Sequence, residues 1–106
     1  LGAAHPPTAI FASNDDMAAA TVAMAHRRHL DVPGDITVCG FDDTELASSI
    51  WPELTTIRQP IREMTAEAVA MIARVHKHKG RATRDKAEQL TLAYQLIRRN
   101  SDAGPS

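Results

Sequence analysis

"PPTAIFASNDDMAAATVAMAHRRHLDVPGDITVCGFDD", residues 6–43, decides the fold. Thr8 to Ser13 is a short apolar run between Pro6-Pro7 and the polar Asn14-Asp15-Asp16, the pattern of a strand covered on both faces. Asp15 to His29 then carries Ala, Met and Val over about four turns. Carboxylates open this stretch and Arg27, Arg28 and His29 close it, the charge order a helix dipole favours. Asp31-Val32-Pro33-Gly34-Asp35 is a turn cluster, and Ile36 to Gly40 is again apolar. Strand, helix, turn, strand predicts a right-handed βαβ unit with parallel strands, and hence an α/β fold built on a parallel sheet.

Downstream, Thr44 to Ser49 has room for a short helix that ends at Trp51-Pro52, because a residue before proline avoids the helical region. Leu54 to Arg58 is β-branched and reads as a strand or an extended crossover. Pro60 stands where proline is welcome, at the first position of a helix. Ile61, Met64, Ala68, Met71, Ile72 and Val75 recur behind it at helical spacing, up to about His78–Gly80. Lys79 to Lys86 reads as a charged loop, Gln89 to Arg98 as a strand with one wetter face, and Asn100 to Ser106 as a frayed tail. Two helices and about four strands cannot cover both faces of such a sheet. The chain is therefore expected either to dimerise extensively or to be one piece of a larger domain, and a first residue other than Met points to the second.

Composition narrows the function. The 106 residues are 43% apolar, enough for one modest core. Twelve basic and thirteen acidic residues leave a net charge of −1, with no basic run beyond pairs such as Arg27-Arg28 and Arg98-Arg99, so this stretch carries no footprint for a phosphate backbone. One cysteine, Cys39, makes no internal disulfide and reads as a small buried hydrophobe in a reducing compartment, which the cytoplasm fits best. No apolar run approaches the roughly 18 residues of a membrane span.

The chemistry gathers at two places. In an open parallel sheet, ligands sit beyond the carboxyl ends of the strands. Ser13-Asn14-Asp15-Asp16 and Gly40-Phe41-Asp42-Asp43 follow the first and second strand at that edge, so they should be neighbours. Asn14 offers an amide that donates and accepts, and Asp42 a double acceptor, a pairing suited to a polyol or the edge of a heterocycle. Phe41 or Trp51 offers an apolar face for a ring. A purely structural reading stands beside this one: Asn14 is a good N-cap, Asp42 with Glu45 has the form of a capping box, and Asp15 and Asp43 suit first-turn dipole partners. A magnesium site at the four aspartates lacks the lysine and hydroxyl arrangement of phosphoryl-transfer enzymes. His26 and His29 lie one turn apart but have no Cys or carboxylate at ligand spacing. No serine sits in a nucleophile elbow, and no glycine-rich phosphate loop occurs. No cofactor is implied, and the chain does not read as an enzyme.

Taken together, Ser13-Asn14-Asp15 with Met17-Ala18, then Val32-Pro33-x-Asp35-Ile36-x-Val38-x-Gly40-Phe41-Asp42-Asp43, then Pro52-x-Leu54-Thr55-Thr56-Ile57-x-Gln59-Pro60 and Met64 to Ala68 resemble LacI/GalR-type transcriptional regulators. The matching part is the C-terminal portion of their effector-binding domain. Leu96-Ile97-Arg98-Arg99-Asn100-Ser101 is similar to the family's final strand. The resemblance implies a periplasmic-binding-protein type I fold in which two α/β subdomains close around a small effector, usually a sugar, a sugar derivative or a purine. It implies that residues 1–106 supply the C-terminal subdomain and one helix of the other, without the N-terminal helix-turn-helix that reads operator DNA as a dimer. It also implies that Asn14 and Asp42 contact the effector, with Gln59, at the crossover, a weaker carry-over. A sugar-binding receptor of a transporter, with the same fold, is the alternative, and an upstream helix-turn-helix or signal peptide would separate the two.

Overall fold

The computed structural model describes residues 2–77 and 89–104. The chain divides into two compact units, one made of residues 1–59 and 95–106, the other of 60–94.

The first unit is built on β1 (Ala9–Phe11), α1 (Asp15–Arg27) and β2 (Thr37–Cys39). β1 and β2 run parallel, with Ile10 opposite Val38, as the strand–helix–strand pattern requires. Both strands are shorter than the apolar runs that predict them, yet pairing extends past their ends: Thr37 N donates to the Thr8 carbonyl at 2.9 Å and Ala12 N to that of Cys39 at 2.8 Å. α1 opens at Asn14, which has extended backbone angles and accepts from Met17 N through its side chain. It stops two residues before the expected His29. His29 takes a φ of 61°, donating to the His26 carbonyl at 3.0 Å, and Leu30 N reaches back to Ala25 at 2.9 Å. These paired bonds are those of a Schellman stop, with histidine where glycine is usual.

α1 buries Asp15, Ala18, Val22 and Ala25, a single stripe at spacings of three and four. Ala18, Val22 and Ala25 join Ala12, Val32, Ile36, Val38, Ala47 and Leu54 in the core, with Ile10, Leu30 and Ile50 packed at its margin. The core is small because so many of its members are alanine and valine. Larger apolar groups stand outside it: Phe11 is 65% and Trp51 78% exposed. That uncovered surface fits the expectation that the chain cannot cover its own sheet.

Glu45–Ser48 forms a short 3-10 helix, and β3 (Thr56–Arg58) pairs antiparallel with β4 (Gln95–Ile97). The expected strand Gln89 to Arg98 thus shrinks to its last third. β2 and the residues just after it join the two pairs: Gly40 N donates to the Thr55 carbonyl at 2.9 Å, Asp42 N to that of Ile57 at 2.9 Å, and Val38 N to that of Ser101 at 3.0 Å. Within the tail expected to fray from Asn100 to Ser106, residues 100–103 are tied down by hydrogen bonds, while 105–106 lie outside the described residues. Ser101 is fully buried; its hydroxyl accepts from Thr55 N at 2.8 Å and donates to the Val38 carbonyl, so it fills the gap between two strands. Asp102 takes the Thr55 hydroxyl and, at 2.9 Å, Arg98 Nε. Cys39 is half-buried rather than buried. Its thiol is held above the ordinary range, first by desolvation and then by the nearby Asp102 charge, with Arg98 opposing.

The second unit contains α2 (Ile61–Lys77), which begins with Met64 N bonded to the Pro60 carbonyl at 2.8 Å and buries none of its residues. The expected end of this helix near His78–Gly80 and the loop Lys79 to Lys86 lie outside the described residues. No helix among the described residues is long and apolar enough to cross a membrane.

Candidate functional site

The two polar clusters meet. Asp15 N donates to the Phe41 carbonyl at 3.0 Å, joining the start of α1 to the turn after β2 at the carboxyl edge of the parallel pair. Asn14 and Asp42 therefore share one rim. Asn14 does act as an N-cap: its Oδ1 accepts from Met17 N at 2.8 Å, while its amide nitrogen has no protein partner among the described residues. One end of the amide is structural and the other is available to donate.

Asp42 is not a cap. The 3-10 helix starts after Thr44, which makes no side-chain capping bond, so the Asp42–Glu45 capping box does not form. Instead Asp42 is exposed, and its Oδ1 accepts from Gln59 Nε2 at 2.7 Å. Gln59 thus joins the rim by holding one oxygen of the acid. Asp42 has a φ of 108° and Asp43 one of 54°, consecutive left-handed residues neither of which is glycine. Such backbone is costly and must be held by its surroundings. Phe41, partly buried, precedes them, whereas Trp51 stands 78% exposed.

What holds this turn is a set of polar residues whose roles the sequence leaves hidden. Asp15 is fully buried and accepts three hydrogen bonds: from Thr44 N at 2.6 Å, from the Thr44 hydroxyl at 3.0 Å, and from the Thr56 hydroxyl at 2.6 Å. It is a fastening between helix, turn and β3, not a dipole partner facing water. Gly40 makes room for it, since a Cβ there would lie 2.4 Å from Asp15 Oδ1 and 2.9 Å from Leu54 Cδ2. Asp43, with its side chain 8% exposed, bridges Arg58 Nε at 2.7 Å and Arg99 Nη2 at 2.8 Å. Burial alone would raise its pKa, but the hydrogen bonds and charges of Arg99 and Arg58 prevail and hold the carboxyl below the ordinary carboxylate range. Two signals hint at these roles: the polar pair Thr55-Thr56 inside an extended stretch, and a glycine directly before a turn rich in acid.

The rim therefore presents an amide donor and a carboxylate braced on one oxygen, with the partly buried Phe41 directly before that acid in the chain. Hydrogen-bonding groups of both kinds next to an apolar face suit a neutral polyhydroxylated or heterocyclic molecule. No cluster of metal ligands is assembled among the described residues.

Comparison with known proteins agrees with this architecture. Residues 1–101 match the periplasmic binding protein-like domain. The HTH-type transcriptional regulator DegA of Bacillus subtilis (strain 168) is 42% identical over 100 residues, covering 92% of this chain and 28% of that protein. Among solved structures, the lac repressor dimer bound to operator and the anti-inducer ONPF superposes with a TM-score of 0.79 at 35% identity, covering 92% of this chain and 32% of the repressor. A LacI family transcriptional regulator from Lactobacillus casei with bound sucrose superposes with a TM-score of 0.72 at 29% identity, covering 90% and 33%. The chain spans a third or less of the length of each of these relatives. It belongs to the family of periplasmic binding protein-like domains, in the form shared by LacI-type transcriptional regulators.

Proposed function

We propose that residues 1–106 form the C-terminal part of the effector-sensing domain of a LacI-type transcriptional regulator, and that its rim binds a small neutral ligand of the sugar or nucleobase class. Asn14 donates to the ligand, Asp42 accepts from its hydroxyl or N–H groups, Gln59 orients Asp42, and Phe41 lies against an apolar face. The observation that carries this reading is the 3.0 Å bond from Asp15 N to the Phe41 carbonyl, which brings the two strand ends, and with them Asn14 and Asp42, to one edge. The sucrose held by the Lactobacillus casei relative supports the sugar class.

The regulator acts as a cytoplasmic homodimer without catalysing a reaction. Operator DNA is gripped by a headpiece outside these residues, and ligand shifts the population of subdomain arrangements that favour or disfavour it. Because coupling is reciprocal, operator must change ligand affinity by the factor by which ligand changes operator affinity. The test is a thermal-shift screen of the intact protein that carries this region against sugars and nucleobases. A ligand at 100 times its Kd stabilises by about 2.7 kcal/mol, well within reach of the method. Asn14→Ala and Asp42→Ala should abolish the shift, and Cys39→Ser should not. A hit that survives both rim substitutions would refute the assignment.

A further inference from the structure

The geometry points to Asp43 as a positioning residue for the rim: it sets where Asp42 stands by tying the turn to both strands through which the chain leaves and re-enters the first unit. The inference rests on the reading of Asp42 as a ligand contact. The chain leaves this unit after Gln59 and returns at Gln95, so β3 and β4 are the outgoing and incoming crossings. One arginine that grips Asp43 is the last residue of β3, Arg58, and the other, Arg99, lies two residues beyond β4.

The two arginines are not equal. Arg58 is 52% exposed, so water and salt screen its bond to Asp43 and little positional force is left. Arg99 is 17% exposed and is itself anchored, with Nη1 donating to the Leu54 carbonyl at 2.9 Å and its backbone N to the Thr55 hydroxyl at 2.9 Å. Asp43 is thus fastened to a guanidinium that also holds the Leu54 carbonyl, on a residue whose backbone is itself bonded to Thr55. Asp42 is tied to β3 by its backbone N, which donates to the Ile57 carbonyl at 2.9 Å, but its exposed carboxylate has Gln59 as its one side-chain partner among the described residues, and its φ of 108° is not one it would keep unaided. The residue that touches the ligand is consequently held in place by its neighbour as well as by its own bond to β3, and a shift of the incoming crossing is transmitted to it through Asp43.

The test is made without ligand on the intact protein, by following solvent exchange of the Gln59 side-chain amide by NMR, with exposed Gln95 as the reference. In the wild type the bond to Asp42 protects the Gln59 amide relative to Gln95. Asp43→Asn should speed its exchange about tenfold, the scale of one hydrogen bond to a charged group. Arg99→Gln, which leaves Asp43 in contact with Arg58, should do the same in a second background, and Arg58→Gln should do much less. If Asp43 serves stability alone, Asp43→Asn lowers the melting temperature while Gln59 stays protected in the folded protein, and the proposal is overturned. Sucrose titration of the same proteins separates the two readings. A wild type that binds no sugar counts against Asp42 as a sugar contact, while the Gln59 exchange rates still decide the role of Asp43.

Discussion

Asp15 and Asp16 are adjacent, identical and both in the first turn of α1, yet the structure predicts very different consequences for removing them. Asp16 is exposed, so Asp16→Ala loses a dipole interaction of about 0.3–1 kcal/mol and regains part of it through alanine's better helix propensity. Asp15→Ala deletes the acceptor of three donors. The Thr56 hydroxyl is fully buried; its oxygen would keep the 3.4 Å bond from Asp43 N, but its proton would be left without an acceptor, at about 1–3 kcal/mol. Thr44 is exposed, so its N–H and hydroxyl can turn to water, and the loss there is about 0.5–1 kcal/mol for the pair. With the same dipole loss and propensity gain as Asp16, Asp15→Ala should cost roughly 2–4 kcal/mol. Asp15→Asn should recover part of this only, because one side of its amide presents hydrogens where every neighbour donates. Urea denaturation of the intact protein, compared at constant m, measures all three. Asp15→Ala and Asp16→Ala agreeing within about 0.5 kcal/mol would refute the claim that Asp15 is a buried fastening.

Three further outcomes follow from the same geometry. Gly40→Ala should destabilise by about 1–3 kcal/mol in the same assay, because its methyl group meets the immobile Asp15 carboxylate rather than the loose end of a side chain. Ser101→Ala should cost about 1–3 kcal/mol and speed hydrogen exchange at Thr55 N, whose acceptor it removes, whereas Ser49→Ala, on an exposed residue, should cost little. The folded pKa of Asp43 is depressed, so the unfolded chain binds its proton first on acidification. Its stabilisation is present at neutral pH and is lost as pH falls through the ordinary carboxylate range of about 4 and below. Asp43→Asn should therefore flatten the acid limb of the stability profile, and an unchanged limb would count against the Arg58–Asp43–Arg99 bridge.

The parts of this structure legible in the sequence are those set by local chemistry. Periodicity places α1 and α2, the charge order orients α1, and apolar runs between turn residues place β1 and β2 in parallel, which puts Asn14 and Asp42 on one rim. Errors arise where a local rule has two outcomes. Asp42 followed by Glu45 fits a capping box, but the helix begins after Thr44, and Gln59, seventeen residues on, takes the carboxylate instead. His29 extends the basic end of α1 on paper, but its left-handed backbone ends the helix. Alternation from Gln89 to Arg98 suggests a long strand, but β4 pairs only opposite Thr56–Arg58, and the length of a strand is set by its partner.

The polar framework of the rim is hidden in the sequence because its partners are distant along the chain. Nothing within a few residues separates Asp15 from Asp16, or Ser101 from Ser49; the difference lies in partners 29, 41, 46 and 63 residues away. Polar side chains buried at such separations are stable only as complete sets, since each unpaired member costs more than its bond contributes. The set is complete here, with no buried side-chain nitrogen or oxygen left unpartnered among the described residues. Ser101 follows from this logic: Thr55 N and the Val38 carbonyl face each other across a gap that a backbone pair does not close, and a hydroxyl, which donates and accepts at once, is the smallest group able to serve both. A serine within a segment that reads as a frayed tail can therefore be an interior link between strands, and the strained turn that bears Asp42 depends on the same stretch through Arg99, two residues before Ser101.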